Sequence, residues 1–302
     1  MNNRIPITVL AGYLGSGKTT IINDILSRPY EARLAVVVND FGQINIDAKL
    51  IQSQGTQAIE LSNGCICCSI GDDLGATLDK IAAWSQPPDH VLLEASGIAE
   101  PTRIAAIAGN WPGYQLNSLI VAADATTIQD RACDKFVRTL ILSQLRSADV
   151  IALTKTDLLG LDEKETIRAW LSDVAPGIGV MKVVRGAVAL DLMLGGPVRS
   201  PLKLLEKRPL PCFASASWRI EEPVDAGKLR ECLMALPAEI HRVKGVVTDA
   251  SSGTRFLIQY AGGRLSMVPT AVDVLPCLVL ISVGTQNSLD KLCSQLKKRC
   301  SL

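Results

Sequence analysis

Only two histidines, His90 and His241, occur among the 302 residues, and no tract is rich in them. A zinc ribbon is therefore not expected. Net charge is equally scarce: 31 basic against 30 acidic side chains leave +1. That balance argues against a strongly basic nucleic-acid binder. Long apolar runs are missing too. The longest candidate, Val274 to Val283, falls well short of the ~20 residues a membrane span needs. Met1-Asn2-Asn3-Arg4 leads straight into an apolar segment, which leaves no room for a secretory leader. Nine cysteines are an odd number, and without a leader they read as reduced thiols rather than a disulfide framework. Cys300 is one place too late for prenylation. The expectation is a cytoplasmic protein with neither membrane nor nucleic acid as partner.

What is present is ordinary globular material, 48% hydrophobic and 20% charged, enough for one large domain or two smaller ones. Short apolar runs at Ile5–Leu10, Leu34–Val38, His90–Leu93, Ser118–Ala123, Val150–Leu153 and Val180–Val184 read as strands buried on both faces. Helical patterns lie between them at Lys18–Ser27, Asp73–Trp84, Thr102–Ala108, Asp130–Ser147 and Glu163–Val174. This alternation predicts an α/β fold, a doubly wound and mostly parallel sheet of the P-loop NTPase kind. Proline, glycine and basic residues cluster over Gly195–Pro211. We read residues 1–195 as a nucleotide-binding domain, 196–211 as a linker and 212–302 as a smaller α+β domain. In that last part, strands are expected at Cys212–Ile220, Ile240–Thr248, Thr254–Tyr260, Arg264–Val268 and Cys277–Val283. Helices are expected at Val224–Leu236 and Ser288–Lys298.

Gly12-Tyr13-Leu14-Gly15-Ser16-Gly17-Lys18-Thr19 fits G-x-x-x-x-G-K-[ST] between an apolar strand and a helix. The glycines Gly12, Gly15 and Gly17 let the backbone curl, so that the N–H groups through Ser16 and Thr20 face a phosphate. The helix N-terminus adds partial positive charge. Lys18 would reach the β- and γ-phosphates, and the Thr19 hydroxyl would ligate Mg²⁺.

Thr154-Lys155-Thr156-Asp157 follows the strand Val150–Leu153 and points to the base. A carboxylate at Asp157 can accept from N1–H and N2–H₂ of guanine, a donor pair that adenine lacks. The Lys155 stem can lie along the base plane. Thr154 stands where this motif usually has Asn, and is expected to hold the loop less well.

Cys65, Cys67 and Cys68 offer three soft thiolates within four positions. Three is one short of a closed tetrahedral zinc site, which suits an open position or a borrowed fourth ligand. Buried structural thiols or a redox pair are the alternatives, but adjacent Cys67 and Cys68 cannot both point inward from a strand. Further polar candidates are Asp40, Gln43 and Asp47, the last as a Mg²⁺ ligand, and Glu94 at the end of its strand. Glu94 can hold Mg²⁺ or polarise the attacking water. His241 reads as structural, Cys133, Cys212, Cys232, Cys277 and Cys293 as core, and Lys297-Lys298-Arg299 as a solvated helix end.

With these motifs in this order, the chain resembles the CobW family of metal-chaperone GTPases, relatives of the nickel-insertion GTPases of urease and hydrogenase maturation. The segments that carry the likeness are GYLGSGKT, NDFGQINID, NGCICC, LLEASGIAEP, ALTKTD and RVKG. The resemblance implies hydrolysis of GTP coupled to delivery of a divalent metal, zinc foremost and otherwise cobalt or nickel, to a client metalloprotein. A homodimer is left open. Departures are Asp40 and Gln43, where the family usually has Glu, and Ala95, where it usually has Ser or Thr. Two other readings compete: a metal-sensing switch that uses GTP without transferring metal, and a P-loop kinase in which the cysteines are structural.

Overall fold

A computed structural model describes residues 4–28, 33–38, 57–60, 70–194, 213–271 and 275–300. These fall into two compact units, one up to residue 194 and one from residue 213. The segments with Asp40, Gln43, Asp47, Cys65, Cys67 and Cys68, and the expected linker, lie outside the described residues.

The first unit runs β1 (Ile5–Ala11), α1 (Lys18–Ser27), β2 (Leu34–Val38), β3 (Gln57–Glu60), α2 (Ile70–Ala82), β4 (His90–Glu94), α3 (Pro101–Asn110) and β5 (Tyr114–Asp124). It continues through α4 (Ile128–Cys133), α5 (Arg138–Ser147), β6 (Val150–Thr154), a 3-10 turn (Thr156–Leu158), α6 (Leu161–Val174), β7 (Gly179–Val183) and α7 (Leu190–Leu194). Seven strands pair in the order β3-β2-β4-β1-β5-β6-β7, every described pairing parallel. The continuous apolar runs explain this. Ile7, Val9, Val36, Leu92 and Ile151 are wholly buried, as strands covered on both faces must be. The helices supply the cover: α2 buries Leu74, Leu78 and Ile81, spaced by four and three on a single face.

Three features differ from the sequence reading, the first two for local reasons. The single helix expected over Asp130–Ser147 is two, α4 and α5. Asp134 Oδ1 accepts from the Phe136 N–H at 2.8 Å, a side-chain turn that competes with the helical ladder between them. Strand β3 and helix α7 are too short for a periodic signal to emerge. Cys133, read as core, is exposed at the end of α4, whereas Cys277 and Cys293 are buried and Cys232 is half-buried.

The second unit holds β8 (Phe213–Arg219), α8 (Ala226–Met234), β9 (Ile240–Thr248), β10 (Arg255–Ala261), β11 (Arg264–Pro269), β12 (Cys277–Val283) and α9 (Gln286–Cys300). Its strands form an antiparallel sheet in the order β11-β10-β9-β12-β8. Leu229 and Leu233 of α8 and Leu289, Cys293 and Leu296 of α9 share one core with Val243, Val247, Leu278 and Leu280 from the sheet. This is the α+β domain expected. His241 is buried, and Lys297, Lys298 and Arg299 are exposed.

Candidate nucleotide site

Because the first sheet is parallel, every strand delivers its C-terminal end to the same edge. Order reverses around β1, which sits between β4 and β5, and doubly wound sheets bind ligands outside such a switch point. The loop Gly12–Gly17, Glu94, Asp124 and Thr154 all leave strands there.

Loop Gly12–Gly17 needs its glycines. Gly12 has φ +131°, and a Cβ there would lie 2.2 Å from the carbonyl oxygen of Ala122 on β5. Gly17, at φ +95°, turns the chain into α1 with no side-chain cap, which leaves the first-turn N–H groups for a ligand. Lys18 is buried and donates from Nζ to the carbonyl oxygens of Gly12 at 2.8 Å and Tyr13 at 3.4 Å. The ammonium thus folds over the loop, inside the ring of amides a phosphate would occupy. The Ser16 hydroxyl is buried with no hydrogen-bond partner among the described residues, a polar atom left for a ligand. Thr20 is exposed one residue beyond Thr19.

Glu94 ends β4 and is buried, so it is no solvated strand end. The Thr19 hydroxyl donates to its Oε1 at 3.4 Å. A hydroxyl and a carboxylate converging at a helix N-terminus form the oxygen donor set that a hard cation such as Mg²⁺ takes with phosphates.

The base-side turn is tied directly to this loop. The Thr154 hydroxyl lies 2.7 Å from the Ser16 carbonyl oxygen and 3.2 Å from that of Ala123, which ties the turn to the loop. Lys155, at φ +57°, reaches the Gly15 carbonyl at 3.0 Å and the Asp124 carboxylate at 2.6 Å. Asp124 also accepts from the Thr126 N–H at 2.9 Å and from its hydroxyl. Burial alone would raise the Asp124 carboxyl, but Lys155 and Thr126 outweigh it and hold the pKa below the usual range. Asp157 is exposed in the 3-10 turn that follows β6. Asp124 escaped the sequence reading; its one signal was a carboxylate closing the apolar run of β5.

The sequence profile of the CobW/HypB/UreG nucleotide-binding domain matches residues 6–182. The chain belongs to this family of GTPases. A second profile, the cobalamin synthesis protein CobW C-terminal domain, matches residues 213–298. Among curated relatives, a protein named zinc chaperone CobW from Sinorhizobium sp is 33% identical over 87% of this chain and 86% of its own length. The zinc chaperone YjiA of Escherichia coli (strain K12) is 34% identical over 63% of this chain and 61% of its own. A Dictyostelium discoideum protein named zinc-regulated GTPase metalloprotein activator 1 is 32% identical over 63% of this chain, which spans 48% of that protein.

Proposed function

We propose that this GTPase binds GTP with Mg²⁺ at the strand edge and couples its hydrolysis to carriage of a divalent metal, zinc foremost, to a client metalloprotein. The observation that carries the nucleotide half is the direct bonding of the base-side turn to the phosphate loop, through Thr154 to Ser16 and Lys155 to Gly15. Loop residues Gly12, Gly15, Ser16, Gly17, Lys18, Thr19 and Thr20 cradle the phosphates, Thr19 and Glu94 hold Mg²⁺, and Asp157 reads guanine. When bound, the ion screens phosphate charge. Lys18 neutralises the β- and γ-oxygens, and Glu94 orients or polarises the attacking water.

The metal half rests on ligand chemistry. Cys65, Cys67 and Cys68 are thiolates suited to zinc, cobalt or nickel, and lie in sequence between the phosphate loop and Glu94. The names of relatives, zinc chaperone and zinc-regulated GTPase metalloprotein activator, support zinc and a metalloprotein client. Reduced thiols fit a cytoplasmic setting; among the described residues no helix is long and apolar enough to cross a membrane.

The test is titration with Zn²⁺, Co²⁺ and Ni²⁺, with and without GTP, on the wild type and a Cys65/Cys67/Cys68 triple alanine. One thiophilic ion bound by the wild type and lost in the triple alanine is expected, with affinity rising with pH as the thiols deprotonate. Unchanged stoichiometry in the triple alanine would put the metal elsewhere. Passage of metal to an apo-metalloprotein during turnover separates a chaperone from a sensor.

A further inference from the structure

Loop Ala95–Glu100, between β4 and α3, begins at the acid Glu94 and forms one wall of the phosphate site. Residues Ala95 to Ala99 are all buried. Two contacts fix the loop on the phosphate side. The Ala95 N–H donates to the Leu10 carbonyl of β1 at 2.9 Å. Gly97 lies so close to the phosphate loop that a Cβ there would come within 2.9 Å of the Leu14 backbone nitrogen. From the other side comes Gln144 of α5, which is 2% exposed. Its Nε2 donates to the carbonyl oxygens of both Gly97, at 3.2 Å, and Ala99, at 3.1 Å. Both amide hydrogens are thereby spent on this one loop.

We propose that Gln144 is a positioning residue for GTP hydrolysis, one that clamps the Gly97–Ala99 peptides against the phosphate loop from behind. Such a loop, next to the acid that handles Mg²⁺ and water, contacts the γ-phosphate in P-loop GTPases. Gln144 touches no nucleotide. It acts by fixing two carbonyls, and through them the direction of the peptide groups that face the site. A buried amide suits this task because it has two donors on one rigid plane, matching two carbonyls two residues apart. An apolar side chain of equal volume would fill the space but leave both carbonyls unpartnered, and the loop would turn toward water to satisfy them. Helix α5 also leads directly into β6 and the Thr154–Asp157 turn. The same element therefore supports the base side and the water side of the site.

The experiment is steady-state hydrolysis by Gln144→Met, which keeps the volume and removes both donors. Affinity for GTP rests on the phosphate loop and Asp157, so KM should stay within about threefold, while kcat falls roughly 10- to 100-fold as loop geometry loosens. A folded Gln144→Met enzyme with wild-type kcat overturns the proposal; so does an equal loss in kcat/KM carried by KM alone. Gln144→Glu is the second variant, and it decides the matter if Gln144→Met does not fold. The introduced carboxyl, buried against two carbonyl oxygens, titrates above the ordinary range, and only its protonated form donates. Its kcat relative to wild type should rise as pH is lowered. A ratio independent of pH means that the side chain merely packs, and the proposal fails.

Discussion

The Lys18 ammonium folds over the phosphate loop, donating to Gly12 and Tyr13. An ammonium held at this loop can turn to a phosphate bound there and match its charge. Lys18→Ala should therefore abolish phosphate release from GTP in a malachite-green assay, leaving the β/γ charge unmatched. Asp157→Asn exchanges an acceptor for a donor facing guanine donors, so it should weaken GTP without strengthening ATP; equal wild-type affinity for the two nucleotides would refute the guanine assignment. Thr154 offers a finer test. Thr154→Val keeps the shape and strips the hydroxyl from the Ser16 and Ala123 carbonyls. Loss of a buried donor costs about 1–3 kcal/mol, so GTP should bind about fivefold weaker or worse, with Thr154→Ser close to wild type. Fluorescence titration with a labelled GTP analogue reads both.

At the scale of elements, β1, β4, β5 and α7 meet at a buried polar cluster on Thr8. The Thr8 hydroxyl donates to the Met193 carbonyl of α7 at 2.7 Å. With its hydrogen used there, it accepts from Asn117 Nδ2 at 3.2 Å and from His90 Nε2 at 2.9 Å. That bookkeeping assigns His90 the neutral Nε2–H tautomer. Burial pushes its pKa down to about 4. Between the ordinary value of 6.5 and about 4, the unfolded chain binds a proton that the folded one does not. Stability from this group is thus full above 6.5 and is lost on acidification through that window. Urea unfolding should show about 2 kcal/mol less stability from His90 at pH 5 than at pH 7.5. His90→Gln, which still donates to Thr8 but does not titrate, should flatten that part of the profile; an unchanged slope would assign the acid sensitivity to other groups.

For the molecule as a whole, the question is whether the nucleotide and the metal are linked. The cysteines and Asp47 fall in sequence between the phosphate loop and Glu94, the span in which a γ-phosphate can order segments through Mg²⁺. Metal affinity should then differ between GDP and a non-hydrolysable GTP analogue, with a coupling of ~1–3 kcal/mol, roughly 5–150-fold. Reciprocity demands the same factor in the effect of metal on GTP binding. Calorimetric titration of each ligand in the presence of the other measures both. Identical affinities in the two nucleotide states would leave the cysteines an uncoupled site and remove the basis for GTP-driven release.

The sequence by itself determined what depends on neighbours along the chain. Apolar runs such as Ile5–Leu10 and Val150–Leu153 can be buried on both faces only in a covered parallel sheet, so fold class and most strands were legible. The strand–loop–helix turn at Gly12–Thr19 was legible because its glycines, lysine and threonine sit at fixed neighbouring positions between an apolar strand and a helix. Helix boundaries were less so: the Asp134 turn that parts α4 from α5 involves a side-chain hydrogen bond to the Phe136 N–H inside a helical pattern. Tertiary structure alone decided which distant residues hold one another. Asp124 and Lys155 stand 31 residues apart, Gln144 and Gly97 47, and Thr154 and Ser16 138. No local periodicity records such pairs, because each residue also suits its own strand or helix. They meet only when parallel strands bring their C-terminal ends to a common edge.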